Sequence, residues 1–323
     1  MAEIRGIGCS HAPMILNPPE EWGNMRKSIY SRIPGYQAPP SMIEELADDN
    51  GLVHDRQNQQ KIVDAFKVLR DKLHAWKPDV VIIVGDDQAE NFKRDNLPTF
   101  CFYTGSEVAG YPFHRTLGKI NIWDAPQDAK YSWKCDSSFA QDLVAFTIRE
   151  GFDMASSTEL KGWDFGLPHA HINPLTFLDP HGELTILPLF VNCYGEEAGE
   201  GYPPRPTARR CYDLGQAIRR FLDTRSERVA IIASSSWSHS FLTHKFNCSK
   251  FDEDFDQRNL ELLKNGKGSQ IADLTPEEIQ QSGDHEFLNW LVPLGVLGDR
   301  PAEIVETLNE QSQISFKVFA IWE

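Results

Sequence analysis

Pro78-Asp-Val-Val-Ile-Ile-Val-Gly-Asp-Asp-Gln88 decides the fold. Its apolar run, Val80–Val84, is β-branched throughout and bounded by Pro78 and Gly85, which reads as a strand buried on both faces. An amphipathic helix of about Arg56–Trp76 precedes it and ends before Pro78. Further out, Ile4–Gly8, Leu184–Phe190 and Val229–Ala233 read as strands of the same kind, the last preceded by a helix of about Ala208–Thr224. Short apolar strands alternating with helices predict an α/β fold: a single large domain over residues 1–323, with a mainly parallel central sheet flanked by helices. Residues 17–55 break the pattern. Pro18, Pro19, Pro34, Pro39 and Pro40 punctuate a polar stretch, read as a Pro-rich surface excursion with one short helix at Ser41–Ala47. Loops of this length are often lids or interface arms. Residues 195–207 form a second loop rich in Gly and Pro.

Composition narrows the function. Of 323 residues, 41% are hydrophobic and 24% charged, which suits a packed globular chain. The net charge of −15 and pI near 5.1 disfavour nucleic acid and anionic membranes as partners. The densest basic stretch, Arg205, Arg209 and Arg210, is too short for a nucleic-acid footprint. The six cysteines form no CxxC pair, which argues against a thiolate zinc site and for reduced thiols. The N-terminus lacks the apolar core of a signal peptide, and no run approaches the ~20 apolar residues of a membrane span. A cytoplasmic protein is expected.

Polar residues follow three of the expected strands: Cys9-Ser10-His11, Asp86-Asp87-Gln88 and Ser234-Ser235-Ser236-Trp237-Ser238-His239. Parallel strands converge their carboxyl ends on one edge, where open α/β sheets bind ligands. Capping explains any one cluster; three together point to a shared crevice. Two other segments carry similar chemistry. His169 and His171 lie in a Pro-bounded turn and could point to one side only if the backbone were extended. Glu286 falls in the first turn of a helix begun by Gly283 and Asp284, with Asp284 as its N-cap. Imidazoles and carboxylates without thiolates suit a non-haem Fe(II) oxygenase or a hydrolytic zinc site.

Ser10-His11-Ala12-Pro13, VIIVGDDQAENF, HAHINPLTFL from His169, SSSWSHSFL around His239, KFDEDFDQRNLELLKNG and HEFLNWL occur in an order that spans nearly the whole chain. In this ordered set the sequence resembles the type II (LigB-like) extradiol ring-cleavage dioxygenases, the family of the protocatechuate 4,5-dioxygenase catalytic subunit. The resemblance implies one Fe(II), with His11 and Glu286 as ligands, His239 as catalytic base and His169 as a second active-site histidine. His171 has no counterpart. At the family's second metal histidine this chain has Gln88. A neutral amide is a weaker donor than imidazole for Fe(II). Gln88 and Asp87 are comparable candidates for the remaining ligand, with Asp86, Glu90 and the more distant His54 behind them.

The implied reaction opens the ring of a catechol-type substrate, carboxylated or methoxylated, with O2. The expected partners are therefore a small aromatic diol and O2, and a homo-oligomer, a dimer being the smallest, is the expected assembly. A carboxylate on the ring would need a cation, for which Arg115, Arg205, Arg209 and Arg210 are candidates. Trp163, Phe165, Tyr194 and Trp237 flank the motifs and could wall an aromatic pocket, although core packing is the commoner fate of such residues. Two other functions fit the same residues: a metal-dependent hydrolase, and a non-catalytic homologue in which Gln88 marks a weakened metal site.

Overall fold

The computed structural model describes residues 1–114, 120–160, 166–195 and 202–323. Among these residues the strands are β1 (Glu3–Cys9), β2 (Val80–Gly85), β3 (Phe100–Tyr103), β4 (Glu107–Gly110), β5 (Tyr131–Lys134), β6 (Ala155–Ser157), β7 (Ile186–Val191), β8 (Arg228–Ser234), β9 (Glu303–Leu308) and β10 (Lys317–Trp322). The helices are α1 (Trp22–Tyr30), α2 (Pro40–Leu46), α3 (Leu52–Trp76), α4 (Ser137–Arg149), α5 (His169–Leu178), α6 (Ala208–Leu222), α7 (Glu253–Lys264), α8 (Gly268–Ile271), α9 (Pro276–Ser282) and α10 (Leu288–Leu297).

Eight of these strands form one sheet in the order β6-β3-β7-β2-β8-β1-β10-β9, while β4 and β5 pair separately. The four central strands β7, β2, β8 and β1 run parallel. β10 and β9 extend the sheet antiparallel beyond β1, and β3 is antiparallel to β7. The α/β class and mainly parallel sheet match the sequence reading. Every residue of β2 and β7 is buried, because helices cover both faces. Alternation sends Val80, Ile82 and Val84 into the core beneath α4, α6 and α10, and Val81 and Ile83 into the core beneath α3 and α5.

α10 is held against the sheet by close packing. Gly215 of α6 and Gly295 of α10 bring the two backbones together, and a Cβ at either would overlap a carbonyl oxygen of the other helix. The Trp290 ring lies over Gly8 of β1, in space that a Cβ there would fill. Burying such a ring stabilises by roughly 2–3 kcal/mol and fixes the helix whose leading turn carries Glu286.

Three local expectations are corrected. His169–Leu178 is helix α5, with all ten residues buried, instead of a turn. The excursion carries α1 as well as α2, and α1 is tied inward by the paired Arg26–Asp55 bridge, both bonds 2.8 Å, and by Tyr30 Oη to Ser240 Oγ at 2.7 Å. Gly283, at φ +71, ends α9 instead of beginning the next helix, and Asp284 makes no capping bond. Among the described residues no helix is long and apolar enough to cross a membrane.

Candidate metal centre

Register brings the clusters together. β1 and β8 pair in parallel as far as Cys9 beside Ser234, so the chains leaving both strands run side by side. Ser10 Oγ then meets Ser236 Oγ at 2.7 Å, and His11 Nδ1 lies 2.9 Å from the Ser234 carbonyl. A carbonyl only accepts, so Nδ1 carries a proton and Nε2 faces the crevice. Nε2 is 3.0 Å from Glu286 Oε2 and 3.7 Å from Asp86 Oδ1. The approach to Glu286 lies off the hydrogen-bonding axis: His11 Nε2, Glu286 Oε2 and Asp86 Oδ2 are all buried without a hydrogen bond. His11, Asp86 and Glu286 each present a ligand atom within 4.8 Å of the others.

The surrounding shell fixes the oxygens. Glu286 Oε1 accepts from Gln88 Nε2 at 2.8 Å and from Tyr194 Oη at 2.5 Å, leaving Oε2 for the centre. Asn289, one turn along α10, donates to Asp86 Oδ1 at 3.1 Å and to the Ser234 carbonyl at 3.2 Å. Burial would raise the Glu286 carboxyl, yet the neighbouring imidazoles of His239 and His11, with the hydrogen bond from Tyr194, hold it well below the usual range. Asp86 is pushed up, by burial first and Glu286 second. Burial opposes a charge on His11, but the field of Glu286 and then Asp86 carries it up to about 9. One imidazole nitrogen and two carboxylate oxygens in such a field suit a divalent cation that accepts mixed N and O donors.

The other expected residues divide. His239 follows β8, its amide bonded to the Gly283 carbonyl at 3.0 Å, and its Nε2 stands 3.7 Å from Glu286 Oε2. Burial lowers its pKa, favouring neutral imidazole, with Glu286 opposing. His169 begins α5 with its ring 5.0 Å from that of His11. Glu90 accepts from both its amide and its Nδ1. Asp87 is turned away: its oxygens accept from the amides of Asn91 and Phe92 and from the Asn91 side chain, which closes its own turn. Burial raises that carboxyl to about 7. Gln88 is present as a donor to Glu286. His171 points the opposite way from His169, with Nε2 3.1 Å from the Leu189 carbonyl, and burial lowers it to about 3. His54 stays in the first turn of α3 beside Asp55.

A cavity of about 280 Å³ opens on the cluster, lined by His11, His169, His239 and Glu286 on one side and by Met14, Met25, Ile29, Phe241 and Ile314 on the other. Met25 and Ile29 belong to α1, so the excursion forms part of the wall. Tyr194 lines the cavity, whereas Trp237 packs into the core against Phe287 and Trp290. Arg205, Arg209 and Arg210 bond to Gln280, Asp273 and the Gly151 carbonyl and do not line it. Arg115, Trp163 and Phe165 lie outside the described residues. Sequence reasoning missed Tyr194 and Gln88 as supports of Glu286, Glu90 as the partner of His169, and Asp256, which accepts from the Ser238 hydroxyl and anchors the loop before His239.

A profile of the family described as the catalytic LigB subunit of aromatic ring-opening dioxygenase matches residues 40–318. A 2,3-dihydroxyphenylpropionate/2,3-dihydroxicinnamic acid 1,2-dioxygenase of Photorhabdus laumondii is 26% identical over 206 residues, covering 64% of this chain and 52% of that protein. The chain thus spans about half the length of that relative. An enzyme of the same name from Cupriavidus necator is 23% identical over 272 residues, covering 71% of this chain and 79% of its own. A gallate dioxygenase of Pseudomonas putida is 34% identical over 142 residues, covering 42% and 39%. An uncharacterised protein of Escherichia coli K12 superposes with a TM-score of 0.51 at 13% identity, over 81% of this chain and 92% of that one, a likeness of fold.

Proposed function

Since the chain belongs to the LigB family of aromatic ring-opening dioxygenase catalytic subunits, we propose that it is an Fe(II)-dependent extradiol dioxygenase that opens the ring of a catechol-type compound with O2. Its metal ligands in this reading are His11, Asp86 and Glu286. The observation that carries it is the convergence of those three side chains, each with a buried ligand atom lacking a hydrogen bond, with His11 and Glu286 opening on a cavity that two further histidines line. Asp86 supplies a third ligand atom close to those of His11 and Glu286 although Gln88 is no imidazole, which favours a working centre over a non-catalytic one.

Bound there, iron(II) would supply Lewis acidity toward the diol oxygens and one-electron contact with O2. The chain's own groups do the rest. His239, kept neutral by burial, accepts a phenolic proton at Nε2 as the diol docks. Glu90 holds the His169 ring by Nδ1, so that its Nε2 can hydrogen-bond a substrate oxygen. Gln88 and Tyr194 hold Glu286 Oε1 and thereby orient Oε2. Met14, Met25, Ile29 and Phe241 exclude water and grip the ring, and confining both reactants gives the usual advantage of proximity.

The test is a screen of substituted catechols with Fe(II)-reconstituted protein under air, followed by ultraviolet–visible spectra. Ring opening that stops without dioxygen supports the assignment. Absence of any ring-opened product across the screen from iron-loaded protein would refute it.

A further inference from the structure

A second cavity, of about 220 Å³, lies on the other side of the same cluster. Asp86 stands at its floor, and Phe92, Leu97, Pro98, Phe190 and Val191 give it an apolar wall. Gln88 and Tyr194 line both cavities, and both donate to Glu286 Oε1. The two residues therefore form a hydrogen-bonded partition. Backbone geometry maintains it: Gln88 and Ala89 take left-handed φ values of 44° and 58°, which cost roughly 1–2 kcal/mol each outside glycine. His11 and Glu286 thus face the first cavity while Asp86 faces the second.

We propose that the second cavity is an antechamber through which dioxygen reaches the centre, independently of the aromatic substrate. This rests on the dioxygenase reading. A ring seated over His11 and Glu286 fills the first cavity and blocks that approach to any later reactant. The partition admits no ring without breaking both bonds to Glu286. A small, uncharged molecule that needs no hydrogen bond partitions into apolar space without a desolvation penalty.

The experiment narrows the cavity at its rim with Leu97→Trp, a position that touches neither the cluster nor the first cavity. Steady-state rates are measured against dioxygen at saturating catechol, and against catechol at saturating dioxygen. The expected result is a rise of about tenfold in KM for dioxygen, with KM for catechol and anaerobic catechol binding unchanged. Xenon pressed into wild-type crystals provides the second readout, with an atom expected in the cavity against the paired rings of Phe92 and Phe190. An unchanged KM for dioxygen overturns the antechamber, as does an unfilled xenon site. A rise confined to KM for catechol also overturns it and makes the space a subsite for the ring. Wild-type protein that consumes no dioxygen with any catechol would instead sink the dioxygenase reading itself.

Discussion

His11 Nε2 lies 3.0 Å from Glu286 Oε2, joining the end of the first strand to the turn before the last helix. Asp86 closes the triangle at 3.7 Å from the same nitrogen. If these three hold the metal, His11→Ala, Asp86→Ala and Glu286→Ala should each weaken Fe(II) binding by more than about 100-fold, beyond the usual loss for an outer-shell partner. Asp87→Asn should retain stoichiometric iron, because its carboxylate closes a turn. Metal content after reconstitution and desalting decides. Full iron in Asp86→Ala would return the third ligand to Gln88.

Glu286 Oε1 accepts from two donors while Oε2 accepts from none. Tyr194→Phe removes the phenolic bond with almost no change of shape. It should weaken metal affinity by about 10–100-fold, as the loss of an orienting partner does, with the melting temperature nearly unchanged. Isothermal titration with Fe(II) under argon reads the affinity. Wild-type affinity in the variant would show that Gln88 alone orients the carboxylate.

His239 and Glu90 separate chemistry from metal binding. His239→Ala should keep its iron and lose about 10²–10⁴ in kcat, the range of a lost acid–base group. Glu90→Gln keeps the shape beside His169 but withdraws the charge that holds its Nδ1. It should lower kcat with a smaller change in KM and no loss of iron. Iron loss in either variant would mean that the residue serves the metal centre.

What was legible in the sequence follows from what each segment buries. β2 and β7 are covered on both faces, so uninterrupted apolar runs marked them. α6 has one wet face, so its periodicity marked it. α5 is buried all round, has no polar stripe, and carries Pro168 before it and Pro174 inside it, so it looked like a loop. α1 is short and polar, and what anchors it, Arg26 to Asp55, spans 29 residues that periodicity does not register. Strand ends pointed to the edge of the sheet where His11, Asp86 and Glu286 meet. They could not separate Asp86 from Asp87, because the left-handed turn at Gln88 and Ala89 decides which carboxylate points inward. Glu90 reaches His169 across 79 residues, and Tyr194 reaches Glu286 across 92, with no local pattern to reveal either contact.

Lys317 gives a pH-dependent stability. Its ammonium group is fully buried where β10 begins, and Nζ donates to the Gln313 and Ser315 carbonyls at 2.8 and 3.1 Å, beside residues that line the cavity over His11 and Glu286. Burial lowers its pKa to about 7, with Glu310 and Asp55 opposing. The unfolded chain keeps the ordinary value of 10.5, so between about pH 7 and 10.5 it binds one proton more than the folded protein. Stability from this group must therefore rise with pH across that window, by at most ~1.4 kcal/mol per unit. Below pH 7 both states are protonated, and the cost of burying the charge is constant. Lys317→Met keeps the apolar stem and removes the titration, although it leaves two carbonyls without their donor. Those carbonyls shift the variant by a constant, so the slope is the quantity to compare. Denaturant unfolding of both proteins from pH 6.5 to 9.5 should give the wild type the steeper rise. Parallel pH dependences would mean that Lys317 is protonated throughout and that its carbonyl partners offset the burial.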